Sequence, residues 1–177
     1  MEKKIVISST ESPAAAAIET LIKTIANEQN QISLPVRLTD VAKKLGIDVQ
    51  QLPLDFNVDG MLVKEKPNVN FKAVSNMFQS DHRKRFTLAH EIGHYVKKYQ
   101  DWPPEKEAGI AEMRDSRSAA GFDPDEIWAN QFAAALLMPA SIVRKYWAQG
   151  KTDEQMAKIF DVSTQAMNLR RVNLGLN

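Results

Sequence analysis

The strongest constraint on this chain is the pair His90 and His94, with Glu91 directly after the first histidine. Residues four apart lie on the same face of a helix, so both imidazole rings can bind one metal ion. A hydrolytic zinc site takes three protein ligands and leaves one position for water, which a neighbouring glutamate can deprotonate. The spacing therefore predicts a helix that carries two ligands, His90 and His94, and a catalytic base, Glu91.

An apolar stripe along the same segment indicates a helix whatever the histidines do, because four large side chains recur at helical spacing: Leu88, Ile92, Tyr95 and Tyr99. Ser80 or Asp81 can cap its start, and two prolines end it, so we predict a helix over 82–99. His82 lies about two turns before His90 and is expected at the surface. The alternative interpretation is an amphipathic surface helix with two solvated histidines.

Composition limits both the kind of protein and the ligand set. The chain has 177 residues, of which 44% are hydrophobic, so one domain with a substantial core is expected. Its 23 basic and 22 acidic residues give no general attraction to nucleic acid or anionic membranes. Cysteine is absent, so a zinc site must use histidine and carboxylate ligands. Without a signal-like or membrane-spanning apolar run, a cytoplasmic protein is expected.

The third ligand is sought in a second helical segment, which Asp123 caps and Pro139 ends. Glu126 and Asn130 are four residues apart in this segment and share one face. Small neighbours border that face and allow a close approach to the histidine helix: Ala129 and Ala133. Glu126 is therefore a candidate metal ligand, and Asn130 a candidate hydrogen-bond partner that fixes the tautomer of a ligand histidine.

Spacing alone leaves this assignment open. Glu126 lies three residues after Asp123, which is also the spacing of a capping box, and a glutamate in the first helical turn suits the helix dipole. Asp125 and Glu112 compete with Glu126 as metal ligands. The segment 105–121 predicts a short helix over Glu105–Met113 and then a connecting loop.

Two strands, Gly60–Val63 and Asn68–Val74, precede the histidine helix, because apolar and polar residues alternate along the second. A sheet edge beside such a helix can bind a peptide as an added strand. The polar residues of the second strand are therefore candidates for substrate binding: Asn68, Asn70 and Lys72. The alternative is an ordinary structural hairpin.

The remaining segments predict helices without obvious chemistry. Ser12 and Pro13 begin a helix whose core-facing residues are expected to be Ile18, Leu21, Ile22 and Ile25. A helix from Thr39 to Gly46, followed by apolar residues over 47–52, resembles the first half of a helix-turn-helix. The tail predicts a helix over Ser141–Trp147 and two more, capped by Thr152 and Ser163, with Arg170 and Arg171 near the end. Basic residues are sparse there, so docking is favoured over direct DNA binding.

The two segments around His90 and Glu126 closely resemble the ImmA/IrrE family of zinc metallopeptidases. They read RFTLAHEIGH over 85–94 and EIWANQFAAALLMP over 126–139. The resemblance covers about 35–140 and departs in the N-terminal helix and in the length of the loop at 100–122. It implies that His90, His94 and Glu126 bind Zn²⁺, that Glu91 is the catalytic base, and that the substrate is a helix-turn-helix repressor whose cleavage relieves repression.

These observations predict an α+β, zincin-like (minimal gluzincin-type) fold with a small antiparallel sheet packed on the histidine helix. The expected divisions are an N-terminal helical extension at 1–34, the peptidase core at 35–140 and a helix-turn-helix-like tail at 141–177. The candidate donors to an oxyanion are Tyr95, Tyr99, Arg114 and Arg117. The alternative function is a non-catalytic module that binds DNA or a repressor, as in a toxin–antitoxin pair.

Overall fold

The computed structural model describes residues 4–103, 105–106, 110–115 and 123–177. Its helices are α1 (Pro13–Thr24), α2 (Leu38–Leu45), α3 (Asp81–His94), α4 (Pro124–Leu137), α5 (Ala140–Ala148), α6 (Asp153–Phe160) and α7 (Thr164–Asn173). Its strands are β1 (Ile47–Leu52), β2 (Val58–Lys64), β3 (Phe71–Asn76) and β4 (Ile110–Asp115). A π-helical turn over Tyr95–Tyr99 continues α3. The predicted α+β architecture is confirmed.

The sheet has the strand order β1-β3-β2-β4. The predicted hairpin is confirmed, because β2 and β3 pair antiparallel, with Leu62 opposite Ala73. The sheet is mixed, since β1 runs parallel to β3 while β4 runs antiparallel to β2. Both strands of the hairpin therefore lie inside the sheet, and its edges are β1 and β4. Of the two interpretations of the hairpin, the ordinary structural one agrees with this sheet, because two further strands cover both of its edges.

At the strands that complete the sheet, the structure departs from one sequence resemblance and from one predicted helix. α2 ends as predicted, with Gly46 in the left-handed conformation at φ 74°. The apolar residues that follow it form β1 instead of a second helix, so this segment is not a helix-turn-helix. The helix expected over Glu105–Met113 is replaced at its end by β4, which pairs with β2 from Ile110 onwards. Pairing with distant residues decided the structure in both places.

Helix α1 starts as predicted, with the Ser12 side chain accepting a hydrogen bond from the backbone N–H of Ala15. Its buried face differs from the expected one. Ile18 and Ile22 are 46% and 44% exposed, and the buried residues are Ala16, Ala17, Thr20 and Leu21. α1 packs against α4 and α2. Small side chains let the helix axes approach closely, so the alanine face is buried instead of the bulky one.

Helix α3 lies between the sheet and α4, and two glycines allow this close packing. A Cβ atom on Gly60 of β2 would lie 2.3 Å from Cγ2 of Thr87 in α3. A Cβ atom on Gly93 would lie 3.0 Å from Cδ1 of Phe132 in α4 and 3.4 Å from Cα of Ala129. The sequence of α3 thus places the face that carries the histidines directly against α4.

The C-terminal helices dock on this core, as their caps and periodicity predict. Thr152 and Ser163 cap α6 and α7 through their side chains. Arg85 of α3 donates from Nε to the backbone oxygen of Asp161 at 3.0 Å and from Nη2 to that of Val36 at 3.2 Å. One continuous apolar core runs from Ile7 to Met167. The division at 34 and 140 stays a prediction.

Candidate metal centre

Three ligand-type side chains converge where α3 meets α4. Nε2 of His90 lies 2.9 Å from Nε2 of His94 and 3.2 Å from Oε2 of Glu126. Nε2 of His94 lies 3.0 Å from Oε1 of Glu126. His90 and His94 are buried, and the Glu126 side chain is 16% exposed. Two ligand-type side chains from α3 and one from α4 thus converge. This is the arrangement that the four-residue spacing of the histidines and the position of Glu126 predict.

Asn130 lies behind His90, one helical turn after Glu126. Its Oδ1 atom is 3.0 Å from Nδ1 of His90. An amide oxygen accepts, so Nδ1 of His90 donates and carries the proton, and the lone pair of the neutral ring is left on Nε2. Asn130 therefore leaves the lone pair of His90 on Nε2, the nitrogen that faces Glu126. This is the contact expected from the sequence for Asn130.

Glu126 is held as an anion by the two histidines. When a proton lies on their Nε2 atoms, hydrogen bonds with His90 and then His94 lower the pKa of Glu126 well below its ordinary value and outweigh the opposing effect of burial. In the neutral tautomer of His90, a metal cation would supply the positive charge in place of that proton. The helix cap is made without Glu126, because the Asp123 side chain accepts a hydrogen bond from the backbone N–H of Asp125 at 2.9 Å. The carboxylate of Glu126 therefore faces the histidines as a negatively charged ligand.

These residues fit a divalent metal ion. In a tetrahedral zinc site the ligand atoms lie about 3.3 Å apart, as bond lengths near 2.05 Å require. The three distances here are 2.9, 3.0 and 3.2 Å, so only a small outward movement is needed. Two imidazole nitrogens and a carboxylate this close together repel unless a proton or a cation lies between them. Among the described residues, the potential metal ligands that cluster are His90, His94 and Glu126.

Glu91 follows His90 on α3 and is 1% exposed. Its position next to a candidate ligand is the one that a general base in a hydrolytic metal site occupies. A carboxylate at this depth is shielded from bulk water, which strengthens its electrostatic interactions. Glu91 is thus a buried carboxyl group next to His90 on α3, and its role as proton acceptor stays a prediction.

Other candidate residues have different partners. The carboxylate of Asp125 binds Nζ of Lys98 at 2.8 Å instead of joining the cluster. Tyr95 and Tyr99 pack on the ring of Phe71, with centroids 5.4 Å away in each case. Burial and the nearby Asp101 raise the pKa of Tyr95 to about 12. The side chains of Glu112 and Arg114, and all of Arg117, lie outside the described part of the chain.

The predicted substrate residues at β3 are bound within the protein. Nζ of Lys72 lies 2.8 Å from Oε2 of Glu65, and Nδ2 of Asn70 lies 3.3 Å from Oδ1 of Asp48. Asn68 has a positive φ of 60° and helps the chain to turn into β3. Strand addition at β3 is excluded because β1 and β2 pair with it on both sides. Substrate binding by these three side chains stays a prediction.

Sequence reasoning missed how the first turn of α4 is held. Lys98 ties Asp125 to the end of the π-helical turn. Trp128 donates from Nε1 to the backbone oxygen of Thr10 at 3.1 Å, and Nζ of Lys97 lies 5.4 Å from the centre of the Trp128 ring. The two adjacent lysines were the available sequence signal, but their partners lie on another helix. These contacts fix the turn that carries Glu126.

The fold is zincin-like: a small sheet, a helix that bears two histidines and a glutamate, and a candidate third ligand from the next long helix. Residues 42–171 match the IrrE N-terminal-like domain, a peptidase family, and the chain belongs to this family. The resemblance stated above is thereby confirmed. No curated protein matches the chain. Within the described residues, no helix has the length and apolar character needed to cross a membrane.

Proposed function

We propose that this protein is a zinc-dependent endopeptidase that hydrolyses one peptide bond in a protein substrate. The convergence of His90, His94 and Glu126 at 2.9 to 3.2 Å carries the proposal, together with the buried Glu91 that directly follows His90 on α3. Membership of a peptidase family supports a protein substrate. The absence of a fourth clustered ligand among the described residues favours a catalytic over a structural site, because structural zinc sites fill all four positions with protein ligands.

A bound Zn²⁺ ion supplies Lewis acidity, which lowers the pKa of a water molecule and polarises a carbonyl group. The protein's own residues move the proton. Glu91 accepts it from the attacking water as the new carbon–oxygen bond forms, and returns it to the amine nitrogen as the carbon–nitrogen bond breaks. Asn130 keeps His90 in the tautomer that presents Nε2, and Glu126 contributes negative charge to the ligand set.

For the substrate we propose a helix-turn-helix transcriptional repressor, whose cleavage relieves repression in the cytoplasm. The close match of the two segments, 85–94 and 126–139, to the ImmA/IrrE pattern supports this choice. Direct DNA binding has less support. Arg170 donates to the backbone oxygen of Met138, and Arg171 donates to Asp153 and Leu176. Arg171 is thus paired within the protein, and the tail has few other basic residues to form the clustered face that phosphate contacts need.

The experiment separates metal binding from chemistry. Glu91→Gln should retain stoichiometric zinc and lose cleavage of a co-expressed repressor by roughly 10³-fold or more, since the proton acceptor is gone. His90→Ala should lose both zinc and cleavage. Zinc content is measured by elemental analysis and cleavage by mass spectrometry of the products, with and without a chelator. A Glu91→Gln protein that cleaves like the wild type refutes the mechanism.

A further inference from the structure

An apolar groove lies along helix α7, beside the candidate metal centre. Two cavities of about 740 Å³ and 350 Å³ share four wall residues and so form one continuous depression, called here the α7 groove: Phe86, Met138, Ala166 and Leu169. Leu169 is 60% exposed and, with its three apolar neighbours, forms a contiguous apolar wall. The metal site uses none of these four residues, so the groove needs its own explanation.

The walls of the groove determine the backbone structure of an occupant. They come from α1, α3, α4 and α7 and from the turns next to α4 and α7. None of the described wall residues belongs to a strand, so a peptide lying against them gains no backbone ladder. A segment that buries its backbone must then satisfy its own N–H and C=O groups, as an α-helix does. The groove therefore favours a helix over an extended peptide.

The charge of the groove determines the side chains of an occupant. The described wall residues include Arg83, Arg170 and His82 but no acidic residue, and the nearby carboxylate of Asp161 lies 3.5 Å from His82. Arg83 is paired with Asp59, whereas Arg170 has a second cation, Arg144, as its neighbour, and burial followed by Arg144 lowers the pKa of Arg170. The first turns of α3 and α7 also border the groove, and helix N-termini carry partial positive charge. A carboxylate would offset this excess.

Asn130 connects the groove to the metal centre. It lines the larger cavity, and its Oδ1 atom accepts the hydrogen bond from Nδ1 of His90 at 3.0 Å. A segment bound in the groove would therefore lie one side chain away from a candidate ligand. This position is suited to holding a partner next to the centre.

We propose that the α7 groove binds an amphipathic helix of a partner protein. The apolar face of that helix packs on Leu169 and its three apolar neighbours, and an acidic residue at its edge pairs with Arg170. The interaction is independent of the proposed peptidase activity, because none of the groove contacts involves Glu91.

Fluorescence anisotropy with the full-length protein tests this. The probe is a labelled helical peptide of about 16 residues, roughly 24 Å long, with leucines at i, i+3, i+4 and i+7 and glutamates beside them. A matched peptide carries lysine in place of each glutamate. The acidic peptide should bind at least about tenfold more tightly than the basic one. Equal affinity of the two peptides, or no binding of the acidic peptide, overturns the proposal.

Two matched substitutions on α7 locate the binding. Leu169→Gln should weaken binding of the acidic peptide by about tenfold or more, since an apolar part of the groove wall is lost. Val172→Gln, at a residue 52% exposed that is outside the groove, should leave binding unchanged. Glu91→Gln should also bind normally, which separates this proposal from the catalytic one. Equal binding by Leu169→Gln and wild type would place the peptide outside the groove and overturn the proposal. A homodimer that Leu169→Gln dissociates would make a second copy of the chain the occupant and also overturn it.

Discussion

At the scale of single residues, Asn130 shows how one side chain sets the chemistry of another. It decides which nitrogen of His90 carries the proton and therefore which nitrogen can bind a metal. Among the described residues, Nδ1 of His94 has no hydrogen-bond partner. Asn130 thus orients the ring of His90 but not that of His94. Removing the Asn130 oxygen should therefore lower the affinity for a metal ion.

We predict that Asn130→Ala weakens zinc binding by roughly 10- to 100-fold, because His90 loses the acceptor that fixes its tautomer. Asn130→Asp keeps an acceptor oxygen and should retain affinity within a few-fold of the wild type. Competition with a chromogenic chelator measures both values. Gln131→Ala, at the adjacent exposed position on α4, serves as the control. Equal zinc affinity in Asn130→Ala and Gln131→Ala would show that the contact does not tune the ligand.

Glu19 is the second residue with a distinct physical role, because it secures the N-terminal segment. Its carboxylate accepts from the backbone N–H of Ser9 at 2.9 Å and from Oγ of Ser8 at 2.8 Å, and it also binds Lys23. Burial alone would raise the pKa of Glu19, but the hydrogen bonds from Lys23, Ser8 and Ser9 outweigh it and lower the pKa. Glu19 therefore stabilises the fold as an anion.

The lowered pKa predicts a specific pH dependence of stability. A depressed carboxylate contributes fully above its unfolded pKa of about 4.3 and loses that contribution as the pH falls through the folded value. At neutral pH, Glu19→Gln should lower the free energy of unfolding by about 1–2 kcal/mol, and the difference from wild type should shrink in strong acid. Urea unfolding across pH gives the values, with the exposed Glu28→Gln as control. A difference that grows toward acid contradicts the assignment.

At the scale of elements, β2 and α3 pack most closely at Gly60, where an added Cβ atom would have less space than at the other described glycines. A Cβ atom on Gly60 would lie 2.3 Å from Cγ2 of Thr87 and 2.6 Å from the backbone oxygen of Val74. Both distances are far inside van der Waals contact, and the second involves backbone that cannot rotate away. Strand and helix are therefore packed at a distance that only glycine allows.

We predict that Gly60→Ala lowers the free energy of unfolding by about 1–3 kcal/mol through overpacking. Adding Thr87→Ser removes the Cγ2 atom but leaves the backbone oxygen of Val74, so the double variant should recover only part of the loss. Chemical denaturation of the single and double variants measures the coupling. Full recovery in the double variant would mean that the backbone at Val74 yields easily.

Local patterns in the sequence predicted those elements whose signals are local. The caps at Ser12, Asp123 and Thr152 and the His90–His94 spacing depend on neighbours within a few residues, and all of them appear where expected. The failures are non-local. β1 and β4 depend on strands that are distant in sequence, and the buried face of α1 depends on which helix packs against it. The Lys98–Asp125 ion pair was not predicted for the same reason, since its two residues lie on different elements.

At the scale of the whole molecule, the tail and the site share one framework. α3 carries the histidines near its end and Arg85 one turn before His90, and Arg85 links this helix to the end of α6 and to Val36. Asp161, which accepts from Arg85, has a left-handed backbone with φ 53° at the turn between α6 and α7. One arginine thus joins the predicted core to the predicted tail.

We therefore predict that Arg85→Gln loosens the tail more than the core. The backbone carbonyl groups of Asp161 and Val36 lose a charged donor, which should cost about 1.5–3 kcal/mol. Hydrogen–deuterium exchange should show faster exchange in α6 and α7 and little change in the sheet, while zinc stoichiometry is retained. Arg144→Gln, an exposed arginine that donates to the backbone oxygen of Leu174, is the matched control. If exchange instead rises equally in the sheet and the tail, the chain unfolds as one cooperative unit, and the boundary predicted at 140 has no energetic meaning.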